Sequence, residues 1–381
     1  MPNAELFRYP PFRADHVGSL VRPAGLIAAR AAYDAGTIGA AELRAAEDAA
    51  IRAVVAKQAE TGLKVVTDGE FRRNTYSDSF TTTGIAGVSV ELTEAEGWRR
   101  SATHGHRTAR RIPKVVSRIA WRAGGNAKDF AMLAACAAAL PGITPKITLP
   151  GPAYIHYRAG RDNISRAVYP SLDEFWADLV TAYHQELRAL FDAGCRYVQI
   201  DETSLVKLGD PRARQLLKDR GDEWSDLLGV YVDAVNAVAA GAPAGMHIAI
   251  HICRSQDPSW QADIGYDPIA DALFNRLNIG TYLLEYDTPR AGSFAPLRFL
   301  PKAKGVVLGL VSSRAPELES VAELRRRIEE ASRYAPLERL ALCPHCGFAT
   351  SVARSSDEAE ALQWRKLRRV VETARAVWEE K

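Results

Sequence analysis

Four side chains in the second half of the sequence combine the chemistry that a zinc site requires. They are His251 and Cys253 in HIAIHICRS, Glu285 in TYLLEYDTP, and Cys346 in LALCPHCGFAT. One imidazole, two thiolates and one carboxylate are ligands that Zn²⁺ binds tetrahedrally. Each lies at the end of a short apolar run typical of a β-strand, so the ligands would come from three strands. This arrangement favours a working metal inside a barrel over a small structural zinc motif.

The two cysteine-containing segments leave alternatives open. His251 and Cys253 would share one face of a strand, because strand side chains alternate, but this short pattern also occurs as a core cysteine beside a hydrogen-bonded histidine. Cys343 and Cys346 form a CxxC, the spacing of structural zinc or redox sites. Cys343 is therefore the main competitor to Cys346. The two clusters and Glu285 together favour zinc binding.

The composition excludes several classes of partner. The 381 residues are 47% hydrophobic and 25% charged, as in a soluble globular protein with a sizeable core. The formal net charge of +3 is too balanced to indicate binding to nucleic acid or to an anionic membrane. The polar N-terminal residues predict no signal peptide, and no apolar run is long enough for a transmembrane helix. Five cysteines, an odd number, indicate a reducing, cytoplasmic compartment.

Short apolar runs alternate with amphipathic stretches, which is typical of repeated βα units. The predicted strands are Asp15–Leu20, Lys64–Asp68, Lys146–Leu149, Arg196–Asp201, His247–Cys253, Thr281–Tyr286, Gly305–Val311 and Arg339–Cys343. The predicted helices are Ala40–Thr61, Ser171–Asp192, Trp224–Ala239, Ser320–Tyr334 and Asp357–Glu380. Eight strands with intervening helices predict an α/β fold, a (β/α)8 TIM barrel, with its chemistry at the C-terminal strand ends.

One segment interrupts the βα repeat. Residues 80–130 follow the second predicted strand, and we expect them to form an excursion with a hairpin and a helix. Within it lies the densest basic stretch, Arg99–Arg122. We interpret that stretch as a solvated insertion, with an anion clamp as the alternative. Residues 1–381 are accordingly predicted to form a single barrel domain with this excursion.

Seven motifs, in order, resemble the cobalamin-independent methionine synthase family in its short form, which corresponds to the C-terminal catalytic barrel. They are HVGSLVRP (16–23), DGEFRRN (68–74), LPGP (149–152), QIDE (199–202), HICRS (251–255), LLEYD (283–287) and HCGFAT (345–350). The similarity spans residues 13–375. The resemblance implies that the zinc ligands are His251, Cys253, Glu285 and Cys346, and that Cys343 and His345 are neighbours of the site.

The resemblance also implies an amino acid substrate site. The family residues that hold this substrate map onto Ser19, Glu70 and Asp201. Two carboxylates can bind an α-ammonium group, and backbone N–H groups near Gly18 and Ser19 can bind an α-carboxylate. Glu70 and Asp201 are our candidate catalytic residues. Helix capping or a rim salt bridge is the alternative role for these two carboxylates.

The implied activity is a zinc-dependent methyl transfer to a thiol acceptor, with homocysteine giving methionine. The implied donor is a methylated folate or a corrinoid. At the position where full-length synthases carry a Trp after LPGP, this sequence has Arg158. It also reads SSRAP at 312–316, where those enzymes carry a His. These departures leave open alkylation of another thiol, for example by an epoxide.

Three other functions are considered. A decarboxylase of the uroporphyrinogen type would use a related barrel without metal, which the ligand set opposes. A zinc- or thiol-binding protein would need the metal ligands but not Ser19, Glu70 and Asp201. A structural zinc site would be closed by four protein ligands. We expect no nucleic acid and no membrane partner, and the sequence is compatible with an oligomer.

Overall fold

Strands and helices alternate along the chain in the computed structural model of the protein. The structure describes residues 10–93, 110–254, 264–349 and 356–379. Its strands are β1 (Val65–Val66), β2 (Ile85–Thr93), β3 (Arg110–Trp121), β4 (Thr144–Pro145), β5 (Ile147–Pro150), β6 (Tyr197–Glu202), β7 (His247–Ile252), β8 (Thr281–Glu285), β9 (Gly305–Val311) and β10 (Leu340–Pro344). Its helices are α1 (Ala24–Asp34), α2 (Ala40–Glu60), α3 (Gly125–Ala138), α4 (Tyr154–Ala159), α5 (Leu172–Asp192), α6 (Pro211–Asp219), α7 (Trp224–Ala240), α8 (Val321–Ser332) and α9 (Asp357–Trp378).

The parallel strands form a closed cylinder. Six of them run in the order β10-β9-β8-β7-β6-β5, and β1 pairs in parallel with β4, just before β5. The N-terminal segment closes the cylinder, because Ala14 bridges Leu342 and the Leu20 N–H donates to the Gly69 carbonyl at 3.0 Å. All residues of β5 to β10 are buried, as expected for strands covered on both faces.

The first predicted strand, Asp15–Leu20, is wrong as a continuous strand. Only the bridge at Ala14 has ladder pairing. Between Asp15 and Leu20, two backbone groups bond to side chains: the His16 N–H donates to Asp15 Oδ1 at 2.7 Å, and Thr67 Oγ1 donates to the Gly18 carbonyl at 2.7 Å. Gly18 has a φ of +138°, which turns the chain out of a strand.

One layer of side chains fills the inside of the cylinder. It consists of Val17, Val65, Tyr197, Ala249, Leu283, Val307, Ala341 and Cys343, all buried. The helices pack outside, and their predicted ends are largely confirmed. Ser171 Oγ accepts from the Asp173 N–H at 3.1 Å, and Ser320 Oγ accepts from the Glu323 N–H at 3.1 Å. These serines cap orphan N–H groups of α5 and α8.

Residues after β1 leave the cylinder. Strands β2 and β3 form an antiparallel pair from Ile85 opposite Trp121 to Thr93 opposite Arg110, and α3 follows. The hairpin is attached to α5 through Arg118, which forms ion pairs with Glu174 and Asp178. Much of the basic stretch, residues 99–109, lies outside the described residues.

Candidate metal centre

The four ligand candidates from the sequence lie together at the C-terminal rim of the cylinder. One donor atom from each of His251, Cys253, Glu285 and Cys346 lies within 4.8 Å of the others, and all four residues are buried. Strands β7 and β8 each end at this rim, and the loop after β10 adds Cys346. Because neighbouring parallel strands end at the same rim, residues 93 positions apart in sequence meet there.

The spacing of the two sulfur atoms fits one tetrahedral metal ion. Cys253 Sγ and Cys346 Sγ are 3.7 Å apart. Two thiolates bound at about 2.3 Å to one zinc at the tetrahedral angle would be about 3.8 Å apart. A disulfide would instead require about 2.05 Å. The cysteine pair therefore has the separation that a shared zinc ion needs.

His251 is oriented as metal-binding histidines usually are. Its Nδ1 lies 3.3 Å from the Leu283 carbonyl oxygen, while its buried Nε2 has no hydrogen-bond partner among the described residues. Burial by itself lowers the pKa of His251, but the Cys253 sulfur and the Asp201 carboxylate raise it above its ordinary value. In metal-binding histidines, the ring nitrogen that does not bind the metal usually forms a hydrogen bond to a carbonyl or carboxylate oxygen. Nε2 is thus the donor atom that fits a metal.

The charges of the cluster also fit a cation. A hydrogen bond from the Cys346 thiol lowers the pKa of Cys253 well below its usual range, and the same bond raises the pKa of Cys346. Burial, reinforced by the negative charge of Cys253, raises the pKa of Glu285. Without a cation these acids cannot all ionise side by side. A bound divalent ion would reverse this, since it stabilises every anionic ligand at once.

Backbone packing brings Glu285 towards Cys346. The Arg254 N–H donates to Glu285 Oε1 at 3.1 Å, and the Glu285 N–H donates to the Tyr266 hydroxyl at 2.8 Å. Gly309 lies between them on β9. A Cβ there would be 2.7 Å from His345 Cα and 3.4 Å from Glu285 Cα. The missing side chain allows the three strands to approach at the site.

The structure separates the two cysteines of the CxxC. The register of β10 against β9 shifts between Cys343 and Pro344, and Cys343 is one of the interior layer of apolar residues. Burial raises the pKa of the Cys343 thiol well above its usual range. His345 is held by Ser313, whose N–H donates to its Nδ1 at 3.0 Å. Among the described residues, neither Cys343 nor His345 belongs to the cluster of four donors.

The three substrate-site candidates lie beside this cluster. Glu70 has a φ of +60°, rare for a residue with a side chain. Its Oε1 accepts from Thr148 Oγ1 at 2.8 Å, and its buried Oε2 has no partner among the residues described. Asp201 pairs with His251 across β6 and β7. Ser19 contacts the loop of Cys346, because a Cβ on Gly347 would lie 1.9 Å from Ser19 Oγ.

Burial raises the pKa of Asp201 to about 7, with Glu70 adding to the rise and His251 opposing it. Gln199 Nε2 donates to Asp201 Oδ1 at 2.7 Å, which leaves Oδ2 as the oxygen that can carry a proton. Asp201 thus lies beside a metal-ligand candidate, with its pKa raised to about 7, while Glu70 Oε2 has no partner within the part of the chain that the structure describes.

Sequence reasoning missed two sets of supporting residues. Buried Lys146 Nζ donates to Asp15 Oδ1 at 2.7 Å and to Gln199 Oε1 at 2.9 Å, so a polar network runs beneath Asp201. Arg22 is buried and donates to the carbonyls of Glu70, Arg73 and Ala349, joining the loops that carry the site. The sequence did contain a signal for the Lys146 network, because a lysine at the start of an apolar strand indicates a buried charge that needs a partner.

Over residues 12–375 the chain matches the family described as cobalamin-independent synthase, catalytic domain. The chain belongs to this family. Within it, YxjH of Bacillus subtilis strain 168 is 37% identical over 373 residues, which cover 97% of this chain and 96% of that protein. A 5-methyltetrahydropteroyltriglutamate–homocysteine methyltransferase of Syntrophotalea carbinolica is 26% identical over 90% of this chain but only 41% of its own length.

Solved structures of this synthase family share the fold. A crystal structure from Listeria monocytogenes, described as a candidate vitamin-B12-independent methionine synthase, is 35% identical, with a TM-score of 0.74 over 96% of this chain and 98% of that chain. A B12-independent methionine synthase from Shewanella sp. W3-18-1, in complex with selenomethionine, is 18% identical, with a TM-score of 0.70 over 96% of this chain and 98% of its own. The predicted family and TIM-barrel fold are confirmed, and the protein is a methionine synthase-like methyltransferase at the family level. None of the helices among the described residues has both the length and the apolar character needed to cross a membrane.

Proposed function

We propose that this protein is a zinc-dependent S-methyltransferase that methylates homocysteine to methionine, in a cytoplasmic setting. The observation that carries the proposal is the convergence of His251, Cys253, Glu285 and Cys346 within 4.8 Å at the rim of the barrel. When bound by these four residues, a zinc ion would favour the thiolate form of an acceptor thiol and so keep it nucleophilic at neutral pH. The names of family relatives support a methylated folate as donor.

The carboxylates beside the cluster would bind the amino acid part of the acceptor. Glu70 Oε2 is buried without a partner among the described residues, and Asp201 lies next to His251. An α-ammonium group between them would supply the hydrogen bond that Glu70 Oε2 lacks among the described residues. The backbone at Gly18 and Ser19 would receive the α-carboxylate. Asp201 is also our candidate base for the proton that the acceptor thiol releases, because it lies next to His251 in the register of β6 and β7.

Cobalt substitution tests whether the thiol reaches the metal. We expect homocysteine to change the visible absorption of the cobalt-loaded protein, because a new sulfur ligand alters the spectrum. Equilibrium binding that leaves the spectrum unchanged would contradict activation of the thiol on the metal. Parallel assays of methionine formation with methylated folate, methylcobalamin and small methylated compounds would then identify the donor.

Glu70→Gln tests the proposed ammonium site with a matched pair of ligands. Homocysteine and 4-mercaptobutyrate differ only in the α-amino group. We expect the wild-type protein to prefer homocysteine by about 10- to 100-fold, the range of a charged hydrogen bond, and the variant to lose most of this preference. Equal binding of both thiols by the wild-type protein would place the ammonium group elsewhere. Arg166→Met, at an exposed pair with Asp162, serves as the control variant.

A further inference from the structure

The guanidinium of Arg22 bonds to three separate stretches of backbone near the metal centre. The residue is buried, with 1% of its surface exposed. Its Nη2 donates to the Glu70 carbonyl oxygen at 2.8 Å and to that of Arg73 at 3.1 Å. Its Nη1 donates to the carbonyl oxygen of Leu20 at 3.3 Å and to that of Ala349. Carbonyl oxygens that share one rigid, planar guanidinium are held in fixed positions relative to one another.

Each of the three stretches carries one residue of the proposed site. We call them the first loop, residues 18–22 with Ser19; the second loop, residues 68–73 with Glu70; and the third loop, residues 345–349 with Cys346. The first loop bonds directly to the other two. The Leu20 N–H donates to the Gly69 carbonyl at 3.0 Å, and the Ser19 carbonyl accepts from the third loop at 2.9 Å. Arg22 adds a direct link between the second loop and the third.

Arg22 also supports an unusual backbone conformation at Glu70. A φ of +60° is unfavourable for a residue with a side chain, and it persists where the surrounding contacts hold it. The Glu70 N–H donates to Asp68 Oδ1 at 2.9 Å, and the Glu70 carbonyl accepts from Arg22. If the bond from Arg22 were lost, the backbone would be free to relax, and the Glu70 carboxylate would move with it.

The second and third loops hold opposite ends of the proposed acceptor. In the proposed function, the ammonium group of the acceptor binds at Glu70, and its sulfur binds the metal that Cys346 helps to hold. Homocysteine and cysteine carry the same amino and carboxyl groups, but homocysteine has one more methylene group between its α carbon and its sulfur. The separation of the two loops therefore decides which of these thiols reaches both ends of the site.

We propose that Arg22 is a positioning residue that sets the distance between the ammonium site and the metal, and thereby selects a thiol on the γ carbon over one on the β carbon. An arginine suits this role because its two terminal nitrogens bond to different loops, whereas a lysine has a single nitrogen. The inference rests on the proposed function, and it adds a specificity-determining residue that contacts neither the acceptor nor the metal.

The test compares homocysteine with cysteine in the full-length, cobalt-loaded protein, where visible absorption reports the arrival of a thiol at the metal. We expect the wild-type protein to prefer homocysteine by about 10- to 200-fold in Kd, the value of one methylene group. Arg22→Met should reduce this preference by about tenfold. Arg22→Lys keeps the positive charge near Glu70 but bridges fewer carbonyls, so it should reduce the preference as well.

Arg339→Lys is the matched control. Arg339 also donates to main-chain carbonyl oxygens, those of Leu300 and Pro301, but it directly precedes β10, at the opposite end of that strand from the metal centre. This variant should have a lower Tm and keep the wild-type ratio of the two Kd values. An Arg22→Lys variant with a lower Tm and an unchanged ratio would overturn the proposal, because Arg22 would then serve stability alone. An equal loss of the ratio in Arg339→Lys would do the same.

The wild-type protein separates this inference from the proposed function without any variant. If neither thiol changes the cobalt spectrum, activation of the thiol on the metal is wrong, and the role of Arg22 fails with it. If homocysteine changes the spectrum and cysteine binds equally well, only the selection by chain length is wrong. A preference for homocysteine that both Arg22 variants lose is the result that supports the proposal.

Discussion

Replacing Cys346 with serine should remove most of the metal affinity, while replacing Cys343 with serine should not. Both cysteines are buried and lie three residues apart, so the pair is internally matched. Cys346 Sγ is 3.7 Å from Cys253 Sγ and belongs to the group of four donors. Cys343 instead packs among the apolar residues inside the barrel.

The expected magnitude follows from the number of ligands. Four-ligand zinc sites bind with about 10–16 kcal/mol at neutral pH, so one ligand contributes roughly 3 kcal/mol, about two orders of magnitude in Kd. A serine hydroxyl does not ionise at neutral pH and cannot replace the Cys346 thiolate. Cys343→Ser places a hydroxyl among apolar side chains, which costs about 1–3 kcal/mol of unfolding free energy. That variant should be less stable but retain its metal.

Metal content after gel filtration and competition with a chromophoric chelator measure the first effect, and urea unfolding measures the second. Circular dichroism of both variants verifies that each is folded. Full metal loss in Cys343→Ser together with retention in Cys346→Ser would refute the ligand assignment. Cys343→Ala, which adds no hydroxyl group, distinguishes lost ligation from a disturbed interior.

Three further outcomes are expected. Lys146→Met should cost about 3–5 kcal/mol of unfolding free energy in urea, because it leaves the buried Asp15 carboxylate without its ion-pair partner. Adding Asp15→Asn should recover part of the loss, and a cost below that of a surface substitution would contradict the ion pair. Burial lowers the pKa of His156 to about 4. Between pH 6.5 and 4 the unfolded chain therefore binds an extra proton, and the unfolding free energy falls by about 1.4 kcal/mol for each unit by which the pH is lowered. His156→Asn should reduce this dependence of stability on pH, and an unchanged dependence would argue against a buried neutral imidazole. Zinc binding at neutral pH should release protons from the cluster, because the pKa values of Cys346, Glu285 and His251 are raised in the metal-free protein. Calorimetry in buffers of different ionisation enthalpy measures this release, and no release would mean that the ligands were already deprotonated.

The sequence predicted most of the barrel because its signals are local. Runs such as GVVLGLV and HIAIHI are apolar throughout, and the structure places strands at Gly305–Val311 and His247–Ile252. Ser171 and Ser320 marked helix starts because a serine side chain can satisfy N–H groups of the first turn. The segment after Asp15 was predicted incorrectly as a continuous strand because Gly18 turns the chain at a φ of +138° and its carbonyl bonds to a side chain distant in sequence, Thr67.

The amino-acid sequence alone determined which residues could bind a metal and that each of them would follow a strand. Both are properties of short segments, because they depend on side-chain chemistry and on the periodicity of a single strand. Only the tertiary structure places Cys346, and not Cys343, among the four clustered donor atoms, because the register shift at Pro344 depends on how β10 pairs with β9. It also showed that Lys146 is paired beneath the site and that Arg158 lacks an acidic partner among the described residues. Pairing of charges across strands depends on distances in space, which spacing along the chain does not specify.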